Sequence, residues 1–199
     1  MPVNISLADY GVGNLHSIRK ALENCGAKVK VMTEMEYLLD AECIVFPGVG
    51  AFSRTMEKLL PYREEIVRRL DSGVPCLGIC IGVQILFEGS EEGSSPGLGF
   101  ISGEVVKLKG KRIPHMGWNT VETDDDIFEG IESRHFYFAH SYYGNPKDDV
   151  VIGTTEYCSR FPSSFRKTNT YGTQFHPEKS SASGMKFLEN FVRFAEGCT

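Results

Sequence analysis

The chain has 199 residues, 41% hydrophobic and 24% charged, the proportions of a folded globular domain and not of a disordered segment. That length favours one domain over residues 1–199, able to bury roughly 70% of its unfolded surface without a metal or disulfide staple. A formal charge of -5 argues against a general nucleic-acid binder, which would show a basic face.

No window approaches the roughly 18 apolar residues a membrane span needs. Met1-Pro2-Val3-Asn4-Ile5 also lacks the charged start and apolar core of a signal peptide. The six cysteines, Cys25, Cys43, Cys76, Cys80, Cys158 and Cys198, contain no CxxC pair. We expect a reducing, cytoplasmic setting in which most of them are small buried hydrophobes.

Along the chain, Val3–Ala8 reads as an apolar strand and Asp9–Asn14 as a turn-rich loop. Leu15, Ile18, Leu22 and Cys25 recur at helical spacing, with Gly26 where a helix C-terminus favours glycine. Lys28–Met32 is a strand, and Cys43–Phe46 is a continuous apolar run of the buried parallel type. A helix is expected from about Pro61 to Ser72, then a strand over Val74–Ile79 and an apolar helical run. Strands alternating with helices imply a parallel sheet covered by helices.

After Phe87 the texture changes. Gly89–Gly97 is the most loop-like stretch, followed by β-rich segments near Ile101–Leu108, Thr120–Glu122, His135–His140, Val150–Thr155 and Tyr171–Phe175. Met185, Leu188, Phe191, Val192 and Ala195 share one face of a closing helix. Asp124-Asp125-Asp126 reads as a solvated turn and not as a cation site, and no metal or cofactor site is expected.

Chemistry concentrates in Gly78-Ile79-Cys80-Ile81-Gly82. A nucleophile on a tight strand-to-helix turn needs little bulk two residues to either side, and Gly-x-nucleophile-x-Gly meets that demand with a cysteine. A thiol there would also feel the positive end of a helix dipole. By itself the pentapeptide fits a buried structural cysteine equally well.

A cysteine nucleophile needs a base, and the base an orienting group. In Gln174-Phe175-His176-Pro177-Glu178, Pro177 biases His176 toward extended backbone. Glu178 then projects to the same side and can fix the imidazole. For an oxyanion, the amide of Ile81 is one donor, and Pro47-Gly48-Val49-Gly50 can supply another at Val49 or Gly50. Gln84, four residues after Cys80, would share its helix face and could hold a polar substrate.

These stretches, together with Ile113–Asn119 and Phe136–Tyr143, resemble the class I, triad-type glutamine amidotransferases, in the family's order along nearly the whole chain. Pro114-His115-Met116-Gly117-Trp118-Asn119 and His140-Ser141-Tyr142-Tyr143 resemble its HisH-type branch, the glutaminase subunits of imidazole glycerol phosphate synthase. Ile81-Gly82-Val83 stands where Leu-Gly-Met is frequent in the family, an apolar-for-apolar departure that should leave the turn intact.

The resemblance implies an α/β flavodoxin-like three-layer fold, with a central mixed, mostly parallel sheet flanked by helices. It implies hydrolysis of L-glutamine to glutamate and ammonia, with Cys80 as nucleophile, His176 as general base and then acid, and Glu178 as orienter. The glutamine α-amino and carboxylate groups would lie around Gly48, Gln84, Glu92 (or, one residue off, Glu91), His140, Ser141 and Tyr142. The implied partner is the HisF cyclase barrel, which would receive the ammonia through protein. Trp118, Tyr137, Lys179 and Asn14 would face it. Two other readings of the residues remain, a stand-alone cysteine hydrolase or protease and a catalytically inactive regulatory subunit.

Overall fold

The computed structural model describes residues 1–11, 15–110 and 112–198. Its first half runs β1 (Asn4–Ala8), α1 (His16–Asn24), β2 (Lys28–Met32), β3 (Cys43–Phe46), α2 (Phe52–Leu59), α3 (Arg63–Asp71), β4 (Cys76–Ile79) and α4 (Ile81–Gln84). Then come β5 (Gly89–Ser90), β6 (Gly103–Lys107), β7 (His115–Thr120), β8 (His135–His140) and β9 (Tyr142–Pro146). The chain ends with β10 (Val151–Tyr157), β11 (Ser159–Lys167), β12 (Thr170–Thr173) and α5 (Ser181–Cys198).

A seven-stranded sheet has the order β10-β11-β12-β4-β3-β1-β2. From β12 to β2 neighbouring strands are parallel, while β10 and β11 add an antiparallel edge. Period-2 alternation sorts the apolar side chains to the two faces. In β3, Cys43 and Val45 join one core with Ile18 and Leu22 of α1 and Phe187, Leu188 and Phe191 of α5. Ile44 and Phe46 join the other, with Met56 and Leu59 of α2 and Ile66 and Leu70 of α3. The result is the expected three layers.

The departures from expectation have local causes. Helix α2 is absent from the expected elements, although Phe52, Met56 and Leu59 lie on one buried face, because it starts directly behind the glycine turn. Strands β9 and β11 are absent too. In the nine-residue β11, Pro162 opposes Thr154 beside a register shift, the kind of place where a sheet accepts proline.

The strand expected at Thr120–Glu122 begins at His115 and ends at Thr120, with Glu122 only bridging Thr154. The helical run after Cys80 stops at Gln84. The carbonyls of Ile85, Leu86 and Phe87 accept from the amides of Leu98, Ile101 and Gly99, so the returning loop replaces a further turn. In α5, Phe187 is buried where Met185 is only partly so.

All six cysteines are free thiols. Cys43, Cys76 and Cys80 are buried, Cys25 is half-buried, and Cys158 and Cys198 are exposed, so the buried-hydrophobe expectation holds for half of them. The aspartate run is a capped turn, in which Asp125 accepts from the Ile127 amide and Arg166 reaches both Asp125 and Asp126. Among the described residues no helix is long and apolar enough to cross a membrane.

Candidate active site

Strands β3, β4 and β12 are neighbours and run parallel, so their C-terminal ends lie side by side on one sheet edge. Pro47–Gly50 follows β3, Cys80 follows β4, and Gln174–Glu178 follows β12. In open α/β sheets this edge is where ligands bind. Topology alone therefore gathers three segments that are far apart in sequence, with Cys80 in the middle.

The turn at Cys80 is strained as a nucleophile turn should be. Cys80 has φ +50° and ψ -107°, and its amide donates to the Thr173 carbonyl at 2.7 Å. A Cβ on Gly82 would lie 2.0 Å from the Phe46 carbonyl oxygen, and one on Gly78 would lie 2.5 Å from the Gly82 carbonyl oxygen. Neither position can carry a side chain without moving backbone, which is the physical reason for glycine at both.

His176 is extended (φ -100°, ψ 96°) and clamped at both backbone groups. Its amide donates to the Tyr137 carbonyl at 2.8 Å, and its carbonyl accepts the Ser180 hydroxyl at 2.6 Å. The same Ser180 oxygen accepts the Tyr137 amide at 2.9 Å.

A carboxylate only accepts, so His176 Nδ1 donates to Glu178 Oε1, 2.8 Å away, leaving Nε2 for the Cys80 sulfur. Burial on its own would lower the His176 pKa. The negative sulfur of Cys80 and its hydrogen bond, then Glu178, outweigh burial and push it up to about 10. His176 is therefore favoured in its protonated form, between Cys80 and Glu178. Gly48 closes over this pair, since a Cβ there would meet His176 Cε1 at 2.6 Å and Cys80 Cβ at 3.2 Å.

An open cleft of about 370 Å³ spreads from Cys80 and His176. Its lining includes Gly48, Gly50, Ile81, Gln84, Glu92, His140, Ser141 and Tyr142, so the expected substrate positions come together. Gly50 is exposed, with φ +99°. Val49 instead turns its side chain toward the core of the α2 and α3 face.

Glu92 lines the cleft and accepts from the Phe52 amide at the start of α2, whereas Glu91 turns away to the Lys107 amide. Gln84 is buried, and its Nε2 donates to the Tyr142 carbonyl at 2.9 Å and to Gln174 Oε1 at 3.0 Å. Gln174 Nε2 in turn lies 3.5 Å from Cys80 Sγ.

Two expectations need correction. The helix behind Cys80 is four residues long, so its dipole is small and local donors must replace it. His140 reaches the cleft with both ring nitrogens occupied. Nδ1 donates to the Tyr142 carbonyl at 2.8 Å, so Nε2 accepts from His115 Nδ1 at 3.0 Å, and His115 Nε2 faces the Asn119 amide. Both imidazoles are neutral, because burial lowers the pKa of His115 to about 4 and that of His140 to about 3. His140 thus lines the cleft with both ring nitrogens already bonded.

The hairpin β7–β8 splits its side chains by face. His115, Phe136, Phe138 and His140 point inward, while exposed Trp118 and Met116 form an apolar ribbon with the half-buried Tyr137, which lies opposite Trp118 in register. Met116, Pro114 and Lys179 also line the cleft, so the ribbon runs to its mouth. Asn14 lies outside the described residues. Among the described residues no group of His, Cys, Asp and Glu could hold a metal ion.

Sequence reasoning missed Gln174, His115, Pro114 and Met116 as parts of the site. The first had a usable signal. Gln174 precedes His176 by two residues, the same extended-chain spacing that located Glu178 after it.

Residues 6–194 match the family Glutamine amidotransferase class-I. The imidazole glycerol phosphate synthase subunit HisH of Methanocaldococcus jannaschii is 50% identical over an alignment of 193 positions that covers 94% of this chain and 98% of the relative. The subunit HisH of Thermococcus kodakarensis is 47% identical over 199 residues, covering 95% and 99%. Among solved structures, a putative GMP synthase subunit from Thermoplasma acidophilum matches with a TM-score of 0.75 at 22% identity, over 99% of this chain and 96% of that one. PurLQS from Thermotoga maritima matches with a TM-score of 0.71 at 20% identity, over 99% of each chain. At these identities the solved structures speak for the fold alone.

Proposed function

The chain belongs to the class I glutamine amidotransferase family, and from that membership and the site we infer that it is the glutaminase subunit of an imidazole glycerol phosphate synthase. It hydrolyses L-glutamine in histidine biosynthesis, as one domain over residues 1–199. The observation that carries the chemistry is the alignment of Cys80, His176 and Glu178 at neighbouring strand ends, with His176 Nδ1 on Glu178 Oε1.

The thiolate of Cys80 attacks the carboxamide carbon of glutamine, and the carbonyl oxygen takes the negative charge. Amides of the Val49–Gly50 strand and of Ile81 stabilise that oxyanion. The His176 imidazolium gives its Nε2 proton to the departing nitrogen, the C–N bond breaks and ammonia leaves. Neutral His176 then removes a proton from water, which attacks the thioester. Collapse of the second oxyanion expels the thiolate and releases glutamate. In this scheme His176 starts as an acid, because Cys80 and Glu178 beside it favour its protonated form. Gln84, Glu92, Ser141 and Tyr142 surround the α-amino and carboxylate ends.

Ammonia released into water at neutral pH is mostly protonated and no longer nucleophilic, so the product needs a receiver. The subunit works with a partner, and the receiver we propose is the HisF cyclase, which forms imidazole glycerol phosphate and AICAR. It seats on the Met116–Trp118–Tyr137 ribbon, with Lys179 at the cleft mouth. The free thiols, two of them exposed, fit a cytoplasmic enzyme.

Glutaminase kinetics measured against added HisF, with and without its nucleotide ligand, test this. We expect turnover to rise with HisF. Flat kinetics would instead point to a stand-alone hydrolase. Cys80→Ala should abolish glutamine-dependent turnover yet leave added ammonium able to support cyclisation by the partner. Surviving glutamine turnover would remove Cys80 as nucleophile and, with it, the triad.

A further inference from the structure

Gln174 is wholly buried one residue past β12. Gln174 and His176 both turn toward Cys80, while Phe175 between them stacks on Phe136 with centroids 4.1 Å apart. The orientation of the Gln174 amide follows from its neighbours. The Tyr142 carbonyl can only accept, so the end of Gln84 facing it is Nε2. That same nitrogen meets Gln174, which must present Oε1. Gln174 Nε2 is thereby turned to the Cys80 sulfur.

Around that sulfur the groups divide by the protonation state they favour. The Ala139 carbonyl, 3.9 Å away, can accept only from a thiol. His176 and the Gln174 amide are donors and favour a thiolate. The four-residue helix behind Cys80 contributes little. Of the other charged groups of the cleft, Glu92 accepts from the Phe52 amide, and Lys179 stands on the turn Pro177–Lys179 just after His176.

We propose that Gln174 is a positioning residue for the nucleophile: its amide N–H holds the Cys80 sulfur as thiolate in line with His176. Its carbonyl ties that setting to Gln84 and Tyr142 at the substrate end of the cleft. The amide of one buried glutamine thus joins the attacking atom to the substrate-binding floor. This rests on Cys80 being the nucleophile.

The test reads the sulfur directly. Gln174→Met keeps the bulk and removes the donor, while Gln174→Glu keeps the shape and puts an acceptor against the sulfur. The rate of Cys80 alkylation by iodoacetamide is followed against pH, with the modified Cys80 peptide quantified by mass spectrometry and folding checked by thermal melting. We expect the midpoint to rise by about one pH unit in Gln174→Met and further in Gln174→Glu, a tenfold or greater loss of thiolate at neutral pH. With HisF present, kcat for glutamine should fall about tenfold while KM changes less than about twofold.

A second measurement needs no substitution at Gln174. The side-chain amide protons of Gln174, seen by NMR with ¹⁵N-glutamine labelling, should titrate with the midpoint of Cys80 alkylation and lose that titration in Cys80→Ala. An unmoved alkylation midpoint in whichever variant folds, or an amide signal that ignores the sulfur, overturns the role of Gln174. Either result leaves the nucleophile itself to be judged by glutamine turnover in Cys80→Ala.

Discussion

The backbone carbonyl of Tyr137 holds the amide of His176 at 2.8 Å, while the Tyr137 ring stands edge-on to Trp118 with centroids 6.3 Å apart. A single residue of β8 therefore touches the triad base with its backbone and the exposed ribbon with its side chain. Ser180 locks the contact from the other side by bonding both residues. Anything that seats on the ribbon presses on the strand that carries the clamp.

Trp118 is 53% exposed, so Trp118→Ala should change the stability of the isolated subunit by no more than about 0.5 kcal/mol. Affinity for the cyclase should fall by about 2 kcal/mol, roughly 30-fold, as for a central aromatic anchor. Titration calorimetry decides this, and undiminished affinity would take Trp118 out of the interface.

Gly48 and Gly82 should separate catalysis from folding. In Gly48→Ala the new methyl meets His176 Cε1 at 2.6 Å, a side chain with some room to yield. We expect glutaminase kcat to drop about 100-fold, the cost of a misplaced base, with a small change in stability. In Gly82→Ala it meets the Phe46 carbonyl oxygen at 2.0 Å, and backbone of β3 must shift. Here the loss should appear as about 3 kcal/mol of unfolding free energy in urea. A fully active and stable Gly82→Ala would contradict the close packing of the turn.

Glu178→Gln keeps an acceptor for His176 Nδ1 but removes one of the negative groups that favour the imidazolium. The His176 pKa should therefore fall, and the alkaline limb of the kcat profile should move to lower pH. We expect kcat to drop by about 10- to 100-fold, less than in His176→Ala, where the proton carrier itself is gone. An unchanged alkaline limb would show that Glu178 orients without tuning charge.

The His115–His140 pair predicts acid sensitivity. Both imidazoles are held neutral when folded, with pKa values of about 4 and about 3 against 6.5 for the ordinary group. Between pH 6.5 and about 4 the unfolded chain binds protons that the native chain refuses, so stability falls as pH falls. Each histidine contributes up to about 1.4 kcal/mol per pH unit in that window. Urea midpoints at pH 7, 6 and 5 should decline, and the decline should lessen in His115→Gln. A flat profile would mean that the pair takes up a proton in the folded state.

The triad was legible because each of its parts answers a local demand. Glycines flank Cys80 because Phe46 and the turn's own backbone crowd them, and Pro177, which follows the extended His176, opens a 3-10 turn that brings Glu178 back beside the imidazole. The parallel half of the sheet was legible for a similar reason, since β3 and β4 are buried on both faces and read as unbroken apolar runs. What escaped depends on contacts between distant segments. Pro162 and three serines disguise β11, which is a strand only because β10 and β12 lie on either side. The spacing from Cys80 points Gln84 toward the substrate, yet its burial depends on Tyr142 and Gln174, 58 and 90 residues away. The helix dipole assigned to Cys80 failed because the loop at Leu98–Ile101 claims the carbonyls that a longer helix would have needed.

The neighbouring strand ends have a consequence for how the molecule comes into being. β4 emerges from the ribosome long before β12, and Gln174 lies 94 residues beyond Cys80. Until β12 pairs with β4, Cys80 stands apart from His176 and Gln174, the groups proposed above to make its sulfur reactive. Its reactivity thus switches on with the last strand of the sheet. A nascent or truncated chain is chemically quiet, and a glutamine analogue that alkylates Cys80 would count only finished molecules.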